Sequence, residues 1–145
     1  MNRPIIKTCL GALAMVIAVA MAPVAFAETI NFKASLKASE EVPPNNSKGT
    51  GTLQASYDTV TKQLLFAVNF SGLSGKATGA HFHGPADPGK NAAIVIPVPG
   101  NITNPIRGTA TLTAAQAADF VAGKWYFNIH TDANKAGEIR GQVTK

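Results

Sequence analysis

From Thr29 to Ser39 apolar and polar residues alternate without a break, and that alternation limits what the chain can become. Ile30, Phe32, Ala34, Leu36 and Ala38 fall on one side; Asn31, Lys33, Ser35, Lys37 and Ser39 fall on the other. Side chains point to opposite faces of a strand in turn, so this stretch is a strand with one buried and one wet face. The same period returns between Gly51 and Tyr57, and between Gln63 and Phe70, where Leu64, Phe66, Val68 and Phe70 face inward. Asp58–Lys62 reads as the hairpin loop between these two. Further strands are expected over residues 78–83, 92–99, 107–112, 124–131 and 138–144. Pro97 and Pro99 cannot donate to a ladder and place the strand over 92–99 at a sheet edge. One helix is expected near residues 114–122. Thr113 and Gln116 have the spacing of a capping box, and Gly123 is placed to end it. Roughly eight short strands and one helix predict an all-β fold, an antiparallel β-sandwich of Ig-like or Greek-key type.

Residues 1–27 follow a different pattern. Arg3 and Lys7 give a positive start, Leu10 to Val19 an apolar run, and Ala25-Phe26-Ala27 the small residues of a cleavage site. This is the pattern of a secretory signal peptide cut after Ala27, with an apolar run short for a stable span. The expectation is one exported domain over residues 28–145, periplasmic or extracellular, with no membrane span once the signal is removed. Cys9, Met1, Met15 and Met21 are the chain's cysteine and methionines, and all precede residue 28. The domain therefore has no disulfide to staple it in an oxidising compartment and must rely on a hydrophobic core. It also offers no soft sulfur ligand to Cu(I). With Arg3 and Lys7 set aside, eleven bases face eight acids. The bases are scattered and not interleaved with aromatics, so nucleic acid is not an expected partner.

The residues with chemistry lie in two segments. Thr78-Gly79-Ala80-His81-Phe82-His83-Gly84 and Tyr126-Phe127-Asn128-Ile129-His130-Thr131 together hold all three histidines. Strand parity puts His81 and His83 on one face and Phe82 on the other. In the second segment Trp125, Phe127 and Ile129 form the apolar row, leaving Tyr126, Asn128 and His130 opposite. Ile139, Gly141 and Val143 would face inward, with Glu138, Arg140 and Gln142 outward. If the strands are neighbours, His81, His83 and His130 gather on one polar face. Glu138 would be a ligand or an orienting group, with Asn128, Asp132 and Arg140 in support. The dense turn signal Gly84-Pro85-Ala86-Asp87-Pro88-Gly89 predicts an ordered loop beside them. Glu40 and Glu41 are adjacent on an extended segment, so they are expected to diverge into solvent.

Taken in order, several landmarks resemble the CHRD domain, the module named after chordin and found also in secreted bacterial proteins. They are Glu41-Val42-Pro43-Pro44, Gly51, the Leu64–Phe70 strand, Ala80-His81-Phe82-His83-Gly84-Pro85-Ala86, Tyr126–Thr131, and Gly137-Glu138-Ile139-Arg140-Gly141-Gln142. The resemblance implies an extracellular or periplasmic β-sandwich module with no assigned reaction. In chordin such domains belong to a protein that sequesters growth factors, and nothing in these residues carries that partner across.

Three functional readings follow. The first is a non-catalytic module that binds copper or zinc through the histidine face, since both ions accept imidazole nitrogen and cross-strand neighbours lie roughly 5 Å apart at Cβ. Its alternative is a face of hydrogen-bonded structural histidines. The second is a metal-independent module for a protein or polymer partner, with Tyr126, Arg140 and the Gly84–Lys90 loop as an exposed recognition surface. The third, a mononuclear copper oxidoreductase resembling superoxide dismutase, is weakened because that family's dinuclear site needs more histidines than the three here. Hydrolase chemistry has no Gly-x-Ser-x-Gly elbow and no cysteine nucleophile to build on. The reading is therefore of a binding module and not an enzyme.

Overall fold

The computed structural model describes residues 28–145. The signal-peptide expectation falls on residues 1–27 and so lies outside them. Among the described residues no helix is long and apolar enough to cross a membrane.

Eight strands form: β1 (Thr29–Lys37), β2 (Thr50–Asp58), β3 (Gln63–Ser71), β4 (Ala77–His83), β5 (Ile94–Pro97), β6 (Ile106–Thr111), β7 (Tyr126–Thr131) and β8 (Ile139–Gln142). All belong to one sheet in the order β5-β4-β7-β8-β1-β2-β3-β6, and every named pairing is antiparallel. β3 pairs with β6 and β4 with β7 instead of with each other, which is Greek-key connectivity. The proline-bearing β5 is an edge, as its sequence requires.

The sheet curls until its two halves face one another. Phe66 of β3 and Phe82 of β4 stand far apart in strand order, yet their rings meet edge to face with centroids 5.0 Å apart. The half β5-β4-β7-β8 thus packs over the half β1-β2-β3-β6, giving a sandwich-like architecture that is nearly a barrel. The seam between halves is thin. It consists of the Lys37–Arg140 pair and a bridge from Lys33 to Thr144.

The apolar rows read from alternation line the interior. Leu36, Leu53, Leu64, Val68, Phe82, Phe127, Ile129 and Ile139 are all fully buried. Helix α1 (Ala114–Val121) carries the expected capping box, in which the Thr113 hydroxyl accepts from Gln116 N–H and the Gln116 amide oxygen accepts from Thr113 N–H. Gly123 follows at φ +73°, the left-handed conformation that ends a helix. The helix sets Phe120 against Phe32, Trp125, Phe82 and Tyr57. A fully buried side chain of this kind stabilises by about 1.5–3 kcal/mol, so an aromatic cluster does the work disulfides cannot.

Candidate functional site: a roofed histidine face

The site grows from the register of three neighbouring strands. β7 lies between β4 and β8, and its outward residues pair in rows: Gly79 with His130, His81 with Asn128 and Arg140, His83 with Tyr126 and Gln142. Gly79 has no side chain to fill the space beside His130, and the His81 ring leans over it; a Cβ there would lie 3.2 Å from His81 Cε1. The imidazoles of His81 and His130 consequently meet with centroids 5.0 Å apart, and those of His81 and His83 at 5.6 Å. One ligand nitrogen from each of the three histidines lies within 4.8 Å of the others.

Two of the rings are held from behind. His83 Nδ1 is 3.0 Å from the Ala92 carbonyl oxygen, and His130 Nδ1 is 2.9 Å from that of Lys135. A carbonyl oxygen only accepts, so in the neutral rings Nδ1 carries the proton and Nε2 keeps its lone pair. Both Nε2 atoms lie 3.1 Å from Oδ1 of Asn128. Burial, then the neighbouring His130 and His83, push the His81 pKa down to about 4. Burial lowers that of His83 as well, against hydrogen bonds to Ala92 and Asn128 that favour its charged form. His81 Nδ1 is buried with no hydrogen-bond partner.

The face is not open to solvent as alternation alone suggested. The segment between β4 and β5 folds back as a roof. Arg140 donates from Nη1 to Asn91 Oδ1 and from Nη2 to the Lys90 carbonyl, while Asn91 Nδ2 reaches the Val42 carbonyl. Ala92 N–H donates to the Tyr126 hydroxyl. Under this roof the Tyr126 ring is stacked on His83, with planes within 2°, and the Arg140 guanidinium carbon sits 3.4 Å from the Tyr126 centroid. Tyr126 and Arg140 are 3% and 2% exposed. The expectation that they present an exposed recognition surface is therefore overturned: the ordered loop beside the histidines covers them.

Two acidic expectations also need correction. Glu138 is fully buried but engaged elsewhere: Oε1 accepts from Ser47 Oγ and Ser74 N–H, and Oε2 from Thr131 Oγ1. Burial pushes its pKa up, but those hydrogen bonds outweigh it and hold the carboxyl at about 2. Residue 138 precedes β8, at the bend where strand parity no longer fixes direction, so its carboxylate joins the loop ends and not the histidine group. Asp132 is exposed and lies against Gly75, outside that group. Asn128 and Arg140 do lie on the face, in the same row as His81.

Glu41 is the residue that sequence reasoning misplaced. It is 6% exposed, packed on Gly137, whose missing Cβ would fall 2.4 Å from Oε1. Burial raises its pKa to about 7, against Arg140, a hydrogen bond with Asn128 and the backbone of Val42. Glu41 diverges from Glu40 as expected, but inward. Local pattern gave no signal for this: residue 41 lies past the end of β1, and Pro43 and Pro44 behind it are exposed.

The arrangement offers lone pairs from neutral imidazoles on one side of a buried amide oxygen, with a carboxyl group and a guanidinium behind. Such a set can hold a cation; the hydroxyls of Ser47 and Thr131 are spent as donors to Glu138.

The family model for the CHRD domain matches residues 32–143. No curated protein and no solved structure gave a significant match. The match takes in every strand that builds the histidine face and its roof, and the protein belongs to the CHRD domain family.

Proposed function

We propose that this chain is an exported, non-catalytic binding module that takes one Zn²⁺ or Cu²⁺ ion on His81, His83 and His130. Export rests on the leader pattern of residues 1–27 and on the usual setting of CHRD domains. The observation that carries the metal reading is the convergence of three imidazoles whose ligand atoms lie within 4.8 Å of one another. A tetrahedral site with nitrogens at about 2.0–2.1 Å needs ligand atoms roughly 3.4 Å apart, so the group must contract by a little over 1 Å. His81 and His130 are only half-buried, which leaves them room to turn. Backbone carbonyls behind His83 and His130 play the part that outer hydrogen-bond partners play in metal sites, fixing the tautomer and aiming Nε2.

Isothermal titration with Zn²⁺ and with Cu²⁺ tests the reading. One ion per chain is expected, with affinity reduced by about tenfold or more in His81→Ala and in His130→Ala. A wild-type domain that takes up neither ion at stoichiometric amounts sinks it. The export half is tested by N-terminal sequencing of the mature protein, expected to begin at Glu28; a chain retaining residues 1–27 contradicts it.

A further inference from the structure

We infer that Asn128 is the fourth ligand, making the site a closed centre of three imidazole nitrogens and one amide oxygen. The inference rests on the histidine reading above and adds the residue that completes it.

The lone pairs carry the argument. His83 and His130 each direct Nδ1 at a backbone carbonyl, which places the proton there and leaves Nε2 without one. Both Nε2 atoms approach the same Oδ1, each at 3.1 Å. With Oδ1 toward the rings, three acceptor atoms face one another with no hydrogen among them, a repulsive arrangement around a buried amide. A cation at the point where the lone pairs meet removes the conflict without added protons. The spacing agrees: two ligands at about 2.0–2.1 Å from a tetrahedral ion lie roughly 3.4 Å apart, within about 0.3 Å of these separations.

The surroundings fix the amide in the required orientation. Asn128 is 3% exposed and sits in the middle of the central strand, paired to His81 on one side and Arg140 on the other. The Asn128 amide lies beside the Glu41 carboxyl. In its ionised form that carboxyl only accepts, which favours the amide N–H on its side and Oδ1 toward the histidines. Glu41 Oε1 and His81 Nδ1 remain buried without a hydrogen-bond partner, a condition that an unfilled ion site can explain. With four protein ligands no coordination position is left open, which suits a site that holds an ion and not one that activates water.

Co²⁺ substitution tests this, because its visible spectrum reports coordination. In the wild type a four-coordinate tetrahedral spectrum is expected. In Asn128→Ala the spectrum should change as a water replaces the amide oxygen, and Zn²⁺ affinity should fall by about 10–100-fold. Asn128→Asp, which puts a carboxylate oxygen in the same place, should keep four-coordination and bind at least as tightly as wild type. An Asn128→Ala protein with wild-type spectrum and affinity overturns the inference while leaving the three-histidine reading intact. Tighter binding by Asn128→Ala also overturns it, by showing that the amide had blocked the rings. Should Asn128→Ala fail to fold, Asn128→Asp decides alone: a Co²⁺ spectrum identical to wild type excludes ligation. A wild type that binds neither Co²⁺ nor Zn²⁺ defeats both readings.

Discussion

A Cβ atom on Gly137 would lie 2.4 Å from Oε1 of Glu41 and 2.6 Å from its Cδ. Gly137 also sits at φ +133°, where only glycine is unstrained. Gly137→Ala should therefore destabilise the domain by about 2 kcal/mol or more, from backbone strain together with displacement of a buried carboxyl. Urea unfolding measures it. A loss within 0.5 kcal/mol, the usual range for a surface change, would mean that Glu41 does not rest on this glycine.

Arg140 is the post that carries the roof. It is buried, stacked on Tyr126, and spends its hydrogens on Lys90 and Asn91. Arg140→Met removes the positive charge that favours ionised Glu41. Removing one partner of a buried charged group typically costs about 3–5 kcal/mol. Loss of the two loop bonds should also open residues 84–93 to limited proteolysis. Glu41→Gln in the Arg140→Met background should recover part of the loss, so the double-mutant cycle should be non-additive. Strict additivity would show that the two residues do not interact.

Much of this geometry was legible because a strand has a period of two. Phe82 inward with His81 and His83 outward, and Ile129 inward with Asn128 and His130 outward, follow from parity once β4 and β7 are adjacent. The helix at Ala114–Val121 was legible from local hydrogen-bond chemistry at Thr113 and Gln116. What parity cannot see is a loop returning over a face. Arg140 and Tyr126 looked wet because the roof is made by Lys90, Asn91 and Ala92, whose contacts reach across 34 to 50 residues of sequence. The groups that fix the His83 and His130 rings at Ala92 and Lys135 are backbone carbonyls, which any residue type could supply. Glu41 and Glu138 were misread for a related reason. Both sit where regular structure ends, so their direction is set by tertiary packing and not by a repeat.

The two carboxyls should bend the pH dependence of stability in opposite directions. Glu138 is held at about 2 in the fold against an ordinary 4.5. Its stabilisation is complete above about pH 4.5 and disappears as pH falls toward 2. Glu41 is raised from 4.5 to about 7, so the folded state binds its proton more tightly than the unfolded chain. Its contribution is complete below 4.5 and is lost as pH rises to 7. His81, lowered from 6.5 to about 4, favours the fold at higher pH and partly masks Glu41. Comparison with Glu41→Gln separates them. In denaturant titrations with chelator present, the difference between wild type and this variant should change between pH 4.5 and 7 and level off above it. Glu138→Gln should flatten the acid limb. A difference curve independent of pH over that interval would place Glu41 in solvent.

Metal loading should be visible as stability, whatever the ion's role. An ion that binds only the folded chain adds about 2.7 kcal/mol when present at a hundred times its dissociation constant. For a domain of this size that is a rise in Tm of roughly 10 °C. The shift should reverse on adding chelator and vanish in His83→Ala, whose ring is gripped by Ala92 and stacked on Tyr126. Lys124→Ala serves as the control. It breaks the exposed ion pair with Asp87 and should lower Tm slightly with and without ion, because exposed pairs are worth about 1 kcal/mol at most. If the ion-dependent rise persists in His83→Ala but disappears in Asp87→Ala, the cation sits in the loop near Asp87 and not on the histidine face.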